Sequence, residues 1–246
     1  MMAQEAEASA PQGDDLETSM ELGIEKKLSK KFSLGIDMEY RTRDYTSEID
    51  RFTIGPSLDY KINKHLKASV GGVYMQVNNN SKTRYRTDGS LKWIRAAKWG
   101  PRYRANASLT GDVDFGRFNV SLRERWQYTY REEYTTTRDV YTKASLYNYT
   151  EADVRLSESY HTLRSRLTVE YDINGCPLTP FVSVEVFNNM SNQFNLDKTR
   201  YSAGIDWKVN KSNSIELSYM YQDVNAENDD EDVNSHFICV GYKYSF

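Results

Sequence analysis

The stretch HFICVGYKYSF, residues 236–246, decides the fold of this chain. From Ile238 to Phe246 every second residue is aliphatic or aromatic, and the residues between them are small or polar. Successive side chains of a β-strand point to opposite faces, so this alternation predicts a strand with one apolar and one polar face. Such a strand suits the lipid-facing wall of a transmembrane barrel, and it would also suit the edge of a soluble sandwich.

The composition of the 246 residues fits one large all-β domain. The mean hydropathy is −0.75, and no apolar run is long enough for a membrane-spanning helix. A barrel is compatible with both observations, because only alternate residues of its strands face lipid. The 19 tyrosines and 4 tryptophans favour a membrane–water interface, where rings with a polar tip accumulate. A net charge of −3 gives no indication of a nucleic-acid partner.

Period-two alternation recurs along nearly the whole chain and predicts eleven strands. The fourth strand is the weakest, because Val73 and Met75 are apolar residues that break the alternation. The predicted strands lie within 20–24, 32–41, 51–62, 66–74, 102–109, 117–128, 163–171, 182–186, 200–207, 215–222 and 238–246.

Short and long connections alternate between these strands. Short turns are predicted near 27–31, 63–64, 111–116, 174–178 and 210–213, and longer connections near 44–50, 77–98, 131–160, 188–197 and 224–234. Outer-membrane barrels have short periplasmic turns and longer extracellular loops, so this order predicts a periplasmic C-terminus. The segments 77–98 and 131–160 are rich in Tyr, Arg and Thr, and we expect them to extend the strands as extracellular hairpins.

The predicted fold class is all-β, a transmembrane antiparallel up-and-down β-barrel of 10–12 strands. The count of eleven conflicts with closed bacterial barrels, which normally have an even number of strands. Of the two even numbers next to eleven, we favour twelve over ten. Either residues before Leu16 add a strand, or the segment at Met20 lies outside the wall, or one turn is misread. Residues 1–15 are polar and are predicted to be a disordered N-terminal segment, with the barrel over 16–246.

The predicted inward face of the barrel is crowded with charges. One interpretation is a ladder of ion pairs that fills the lumen, because ionisable groups are usually buried in pairs. The other is a narrow polar passage that favours anions, since basic residues are in excess. The predicted lumen charge network consists of Asp37, Glu39, Arg41, Arg51, Arg102, Arg104, Arg123, Arg125, Arg164, Arg166, Glu170, Glu185, Arg200 and Glu216.

Catalytic and metal-binding candidates are few. His161 and His236 fall near predicted extracellular strand ends, with Ser159 and Ser235 close in sequence, and a hydrolase would use such groups as base and nucleophile. Solvated rim histidines are the simpler interpretation. The acidic run 227–232 lacks the spaced ligands and central glycine of a calcium loop. We therefore predict no catalytic residues, no metal and no cofactor.

The chain resembles an uncharacterised family of outer-membrane barrels common in Bacteroidota, known as a domain of unknown function. The resemblance covers roughly 16–246 and rests on the stretches DMEYRTR (37–43), DRFTIGPSLDYKINKHLKASVGGVY (50–74), LRSRLTVEY (163–171), PFVSVEVFNN (180–189), DKTRYSAGIDWKV (197–209) and HFICVGYKYSF (236–246). It implies a fold and a place in the outer membrane of a Gram-negative bacterium, and it brings no known activity. The charged positions it emphasises are Arg41, Arg51, Arg164, Arg166, Glu185 and Arg200.

These observations favour a barrel that acts as a structural or interaction component of the cell envelope. The alternatives are a small-solute passage and an outer-membrane lipid or peptide hydrolase. The expected partners are outer-membrane lipid and, through the predicted hairpins or the face that carries Glu124, other envelope proteins. Glu124 matters because it falls on the apolar side of its strand.

Overall fold

The architecture comes from a computed structural model that describes residues 14–225 and 234–246. The segment 1–13, most of the predicted disordered N-terminus, lies outside the described residues, as does the acidic run 227–232. In the described part of the chain, no helix has the length and apolar character needed to cross a membrane.

Fifteen strands account for about three quarters of the described residues. They are β1 (Asp15–Lys27), β2 (Phe32–Arg43), β3 (Glu48–Lys61), β4 (Leu66–Asn79), β5 (Lys82–Tyr85), β6 (Leu91–Arg95), β7 (Lys98–Phe115), β8 (Phe118–Arg131), β9 (Tyr134–Tyr141), β10 (Tyr147–Arg155), β11 (Glu158–Tyr171), β12 (Leu178–Asn189), β13 (Asn195–Lys208), β14 (Asn213–Val224) and β15 (Ser235–Ser245).

Eleven of these strands close into one barrel in the order β1-β15-β14-β13-β12-β11-β8-β7-β4-β3-β2. The all-β barrel is confirmed, and the favoured count of twelve strands is wrong. β1 pairs antiparallel with β2 and parallel with β15. When every other neighbour is antiparallel, an odd number of strands can close only through one parallel pair. The expectation of an even number assumed an entirely antiparallel ring.

The parallel seam between β1 and β15 is well bonded. Its register runs from Asp15 opposite Ser235 to Glu25 opposite Ser245. Where β15 finishes, Lys27 N donates to Phe246 O over 2.9 Å, and Phe246 N donates to Glu25 O over 3.0 Å. The segment around Met20 therefore lies in the wall, as its alternation requires.

The two ends of the barrel differ. One end, called the turn end, carries short connections such as those at Gly116 and Gly175, whose φ angles of 64° and 73° favour glycine. The other, called the hairpin end, carries the long insertions between β4 and β7 and between β8 and β11. The connection predicted at 44–50 is shorter than expected, because β3 already begins at Glu48.

The outer face of the barrel is an apolar belt between two rings of aromatic residues. Aliphatic side chains in the middle of the strands point outward, with Leu217 58% exposed and Val182 56% exposed. Tyr, Trp and Phe residues lie above and below this belt, and several of them contact one another across strands. The contacting rings are Phe32 with Tyr60 and Phe118 with Tyr171 near the turn end, and Tyr74 with Tyr103 nearer the hairpin end.

The two long insertions each form a β-hairpin, as predicted. The sequence did not indicate that they join into one four-stranded sheet, in the order β10-β9-β6-β5. The joint is the antiparallel pairing of β6 with β9, in which Trp93 faces Val140 and Arg95 faces Arg138. We call this unit the hairpin sheet.

Candidate functional site

The lumen brings together charged residues from four consecutive strands of the ring. Register alone places Arg123 of β8 beside Arg166 of β11, Arg166 beside Glu185 of β12, and Glu185 beside Arg200 of β13. The next inward position on β8 and β11 pairs Arg125 with Arg164. Alternation puts all of these side chains on the inner face.

Glu185 is the centre of this group. Its Oε1 accepts from Arg123 Nη2 over 2.9 Å and from Arg164 Nε over 3.1 Å. Its Oε2 accepts from Arg164 Nη2 over 2.7 Å and from Arg166 Nη2 over 2.8 Å. The side chain is 1% exposed. Charge-assisted bonds of this length are the strong ones, so Glu185 fixes three arginines of two neighbouring strands.

Arg125 belongs to the same group but differs from its neighbours. Among the described residues it has no hydrogen-bond or ion-pair partner, and its Nε is shielded from solvent. The Nε atoms of Arg123 and Arg166 are likewise buried without a partner. We call Arg123, Arg125, Arg164, Arg166 and Glu185 the arginine cluster.

A second group of charges lies across the lumen on β1 to β3. Glu39 Oε1 accepts from Arg41 Nη2 over 2.6 Å and from Ser19 Oγ over 3.1 Å. Arg51 Nε donates to Asp50, which a bulge in the pairing of β2 with β3 turns into a buried position. In these contacts two carboxylates, Glu39 and Asp50, meet two guanidiniums, Arg41 and Arg51.

Other members of the predicted network have separate partners. Arg102 Nη2 donates to Asn79 Oδ1, and Arg104 Nε donates to Thr129 Oγ1 over 3.2 Å. Arg200 Nε donates to Gln222 Oε1 over 2.8 Å.

Three predicted members lie towards the turn end instead. The side chains of Asp37, Glu170 and Glu216 are exposed, and no ion pair joins them to an arginine in the ranges that the structure describes. Glu216 accepts a hydrogen bond from Ser218 Oγ over 3.1 Å. We call this exposed part of the lumen, which also includes Glu21, the turn-end mouth.

Apolar side chains also enter the lumen, and sequence alternation did not predict this feature. Met75, Val77, Phe187, Met220 and Phe237 are the buried apolar residues of the described chain. At these points the strands carry apolar residues on both faces, so the alternation of apolar and polar residues is lost. Among the five, only Met75 stood out in the sequence as a break in the alternation. We call these five residues the lumen plug.

Cations surround the aromatic part of the lumen plug. The guanidinium carbons of Arg164 and Arg200 lie 4.4 and 4.9 Å from the ring centroid of Phe187, and Lys198 Nζ lies 4.9 Å from it. The guanidinium of Arg41 lies 4.8 Å from the ring of Phe237. An aromatic face attracts a cation, so the plug and the charged residues support each other.

The plug and the charges make the hairpin half the most buried part of the lumen. The most deeply buried side chains come from six strands distributed around the ring. They are Ser19 of β1, Met75 of β4, Thr129 of β8, Glu185 of β12, Gln222 of β14 and Phe237 of β15. Exposed lumen residues lie at the turn-end mouth.

Glu124 lies on the outer face, where it pairs with Leu109 and Ser165 of the flanking strands. Ser165 Oγ donates to Glu124 Oε2 over 2.6 Å. This bond satisfies part of a carboxylate that sits in the middle of the apolar belt.

The histidines named as catalytic candidates sit on the outer surface. His161 packs against the rings of Trp126 and Tyr128, at centroid distances of 5.6 and 5.0 Å. His236 Nδ1 lies 2.5 Å from Tyr219 OH, and its Nε2 lies 3.1 Å from Asp14 Oδ2. Ser235 is buried in the lumen, on the opposite face of β15 from His236. These two neighbours in sequence therefore do not meet as nucleophile and base.

The hairpin sheet is held together by arginines. Arg86 of the β5–β6 turn donates to Leu91 O over 2.6 Å and to Thr142 O over 3.1 Å, which ties one hairpin to the other. Arg95 Nε donates to Asp153 Oδ2 over 2.8 Å, and the guanidiniums of Arg95 and Arg138 flank the ring of Trp93.

The tip of the β5–β6 hairpin is a tight, hydrogen-bonded turn. The Ser90 hydroxyl and backbone N–H donate to Asp88 Oδ1 over 2.6 and 2.9 Å, and these bonds lower the pKa of Asp88. No group of His, Cys, Asp and Glu side chains suited to a metal ion occurs within 14–225 and 234–246.

The closed barrel with an apolar belt and a polar interior has the fold of outer-membrane β-barrels. Two solved structures are similar at 12% identity. The β domain of the Bordetella autotransporter BrkA has a TM-score of 0.56, with 89% of this chain and 86% of that chain covered. The NanC porin has a TM-score of 0.50, with 94% and 99% covered. The Escherichia coli outer-membrane protease OmpT, at 8% identity and 82% and 80% coverage, has a TM-score of 0.42.

The chain belongs to the family described as "Protein of unknown function (DUF2490)", whose family model matches residues 20–233. No curated protein matches it.

Proposed function

We propose that this protein spans the outer membrane of a Gram-negative bacterium, with its C-terminus in the periplasm and its hairpin sheet outside the cell. The apolar belt between two aromatic rings supports this placement, because such rings accumulate at the two interfaces of a bilayer. The asymmetry of the two ends supports the orientation, since long connections face the exterior in outer-membrane barrels. The assignment to Bacteroidota stays a prediction from the sequence.

We further propose that the barrel is closed to solutes and acts as an interaction component of the envelope. The observation that carries this proposal is the hairpin half of the lumen, where side chains of six strands are almost completely buried. A passage for solutes needs a continuous water-filled path, and the lumen plug interrupts it. The similarity to a porin concerns the fold and not the state of the lumen.

The hairpin sheet is the surface that would bind a partner. Its exposed side chains include Tyr85 (46%), Tyr147 (59%), Tyr149 (47%) and Val154 (51%). Exposed apolar and aromatic residues on a sheet that is fixed by arginine contacts are typical of a binding surface. The Glu124 face of the barrel is a second candidate, because a carboxylate in an apolar belt becomes more stable when a partner provides hydrogen-bond donors.

Conductance tests the closed lumen. The purified wild-type protein, reconstituted into planar bilayers, is expected to show no steady current at moderate voltage. Steady single-channel openings would overturn the closed-lumen proposal and support the passage.

Site-specific photocrosslinking in living cells tests the interaction role. A photoreactive residue at Tyr149 is expected to give a discrete adduct of higher mass, whereas the same residue at the lipid-facing Leu217 is expected to give none. Identical patterns at both positions would contradict a binding role for the hairpin sheet.

A further inference from the structure

The arginine cluster is unbalanced in charge. It contains four guanidinium groups and one carboxylate, so it carries an excess of three positive charges at neutral pH. Two carboxylates of β1 and β2 lie within electrostatic reach of the cluster, Glu21 of Arg166 and Asp37 of Arg125, but neither forms an ion pair with it. β1 lies five strands away from both β8 and β11 around the ring, and no ion pair crosses the lumen to the cluster in the described residues.

Glu185 has no capacity left to neutralise Arg125. Each of its two oxygens already accepts two hydrogen bonds, which uses the roughly four lone-pair sites of a carboxylate. The unpartnered Nε atoms of Arg123, Arg125 and Arg166 are donors that Glu185 does not reach. An unpaired guanidinium that is largely removed from water is costly, so an acceptor from outside the chain would stabilise the cluster.

The cluster is accessible from one side. The side chain of Arg166 is 35% exposed and that of Arg123 is 21% exposed, while Arg164 is 10% exposed. Exposure therefore increases towards the turn-end mouth, where Glu170 and Glu216 are in contact with solvent. The lumen plug blocks the opposite direction, so a ligand would enter and leave through the same opening.

We propose that the arginine cluster is a binding site for a small oxyanion, of the carboxylate, phosphate or sulfate class, that enters from the turn end. Arg123, Arg125 and Arg166 bind the anion, and Arg164 is held by Glu185 as support. The planar fork of a guanidinium matches two oxygens of such a group. This inference goes beyond the proposed interaction role, since a closed barrel needs no ligand in its lumen.

The test is a titration of the full-length protein in detergent micelles with sodium phosphate, with sodium chloride adjusted to keep the ionic strength constant. Heat of binding and the midpoint of thermal unfolding are measured. Wild type is expected to bind phosphate saturably and to gain thermal stability, because a ligand that binds only the folded state raises the unfolding midpoint.

Arg125→Gln is the decisive variant, because it removes a charge without breaking an ion pair. It is expected to weaken phosphate binding by about tenfold or more, equivalent to about 1.4 kcal/mol. Arg104→Gln is the matched control: it also removes a lumen guanidinium, but one that is bonded to Thr129 outside the cluster. It is expected to change the affinity by less than about twofold.

Absence of saturable binding in wild type, or equal weakening in both variants, would overturn the proposal. If Arg125→Gln does not fold, Arg125→Lys replaces it. Lysine keeps the charge but loses the fork, so weaker phosphate binding is again expected, and unchanged binding would count against the site.

Discussion

The Glu185→Gln substitution would test the central contact of the lumen. Glu185 accepts four hydrogen bonds from three arginines and is almost completely buried. Glutamine keeps the shape but replaces one oxygen with an NH₂ group, which faces guanidinium donors in either orientation. At least two of the four bonds are then lost, together with the negative charge that compensates the arginines.

The expected loss of stability is about 3–5 kcal/mol, the range for removing one partner of a buried ion pair. The measurement is reversible urea unfolding of the refolded protein in detergent, followed by tryptophan fluorescence. Glu170→Gln is the control, because Glu170 is exposed at the turn-end mouth and has no arginine partner in the described residues. Its expected cost is below about 1 kcal/mol. Equal free energies of unfolding for the two variants would refute the central role of Glu185.

Three further predictions concern the wall, the orientation and the seam. Leu217→Arg should destabilise the barrel by about 2–4 kcal/mol in lipid, because Leu217 lies in the apolar belt. Glu216→Arg, at the adjacent inward position, should cost much less. Equal free-energy costs in urea unfolding would argue against a lipid-facing belt. A protease site inserted after Lys143, in the β9–β10 turn, should be cleaved on intact cells, and one in a turn-end turn should be protected; the reverse result would invert the orientation. Cysteines that replace Met20 and Val240, in a variant without the native cysteines, should form a disulfide because these two residues pair across the seam. If no disulfide forms under oxidising conditions, another strand lies between β1 and β15.

The sequence predicted the wall well because the wall follows a local rule. Alternation assigned residues such as Leu34 and Ile54 to the outer face and Arg164 to the lumen, and the register of the strands agrees. It failed at Met75 and Val77, since an apolar residue turned inward looks the same in sequence as a break in the strand. The alternation gave the correct number of eleven strands, and only the adjustment to twelve was wrong. The even number is a statistical tendency of bacterial barrels, whereas the closure of this barrel depends on bonds between β1 and β15, at opposite ends of the chain.

The candidate site was predictable as a set of residues but not as an arrangement. The alternation placed Arg123, Arg166 and Glu185 on the inner face. It gave no reason to prefer Glu185 over Glu170 or Glu216 as the ion-pair partner of the arginines. Which carboxylate meets the arginines depends on the relative shift of β8, β11 and β12, and a single sequence does not encode that shift in a local pattern. The pairing of β6 with β9 was missed for the same reason, since it joins two separate insertions.

Because of the parallel seam, the resistance of the barrel to a pulling force depends on the direction of that force. β1 begins at Asp15 on the hairpin end, and β15 finishes at Ser245 on the turn end. A force that draws these two points apart along the barrel axis slides one strand past the other, so the register pairs from Asp15 to Glu25 share the load in shear. With an antiparallel closure both points would lie on one rim, and the same force would peel the seam open one bond at a time. The closure of this barrel is therefore strongest against tension directed through the wall from one rim to the other.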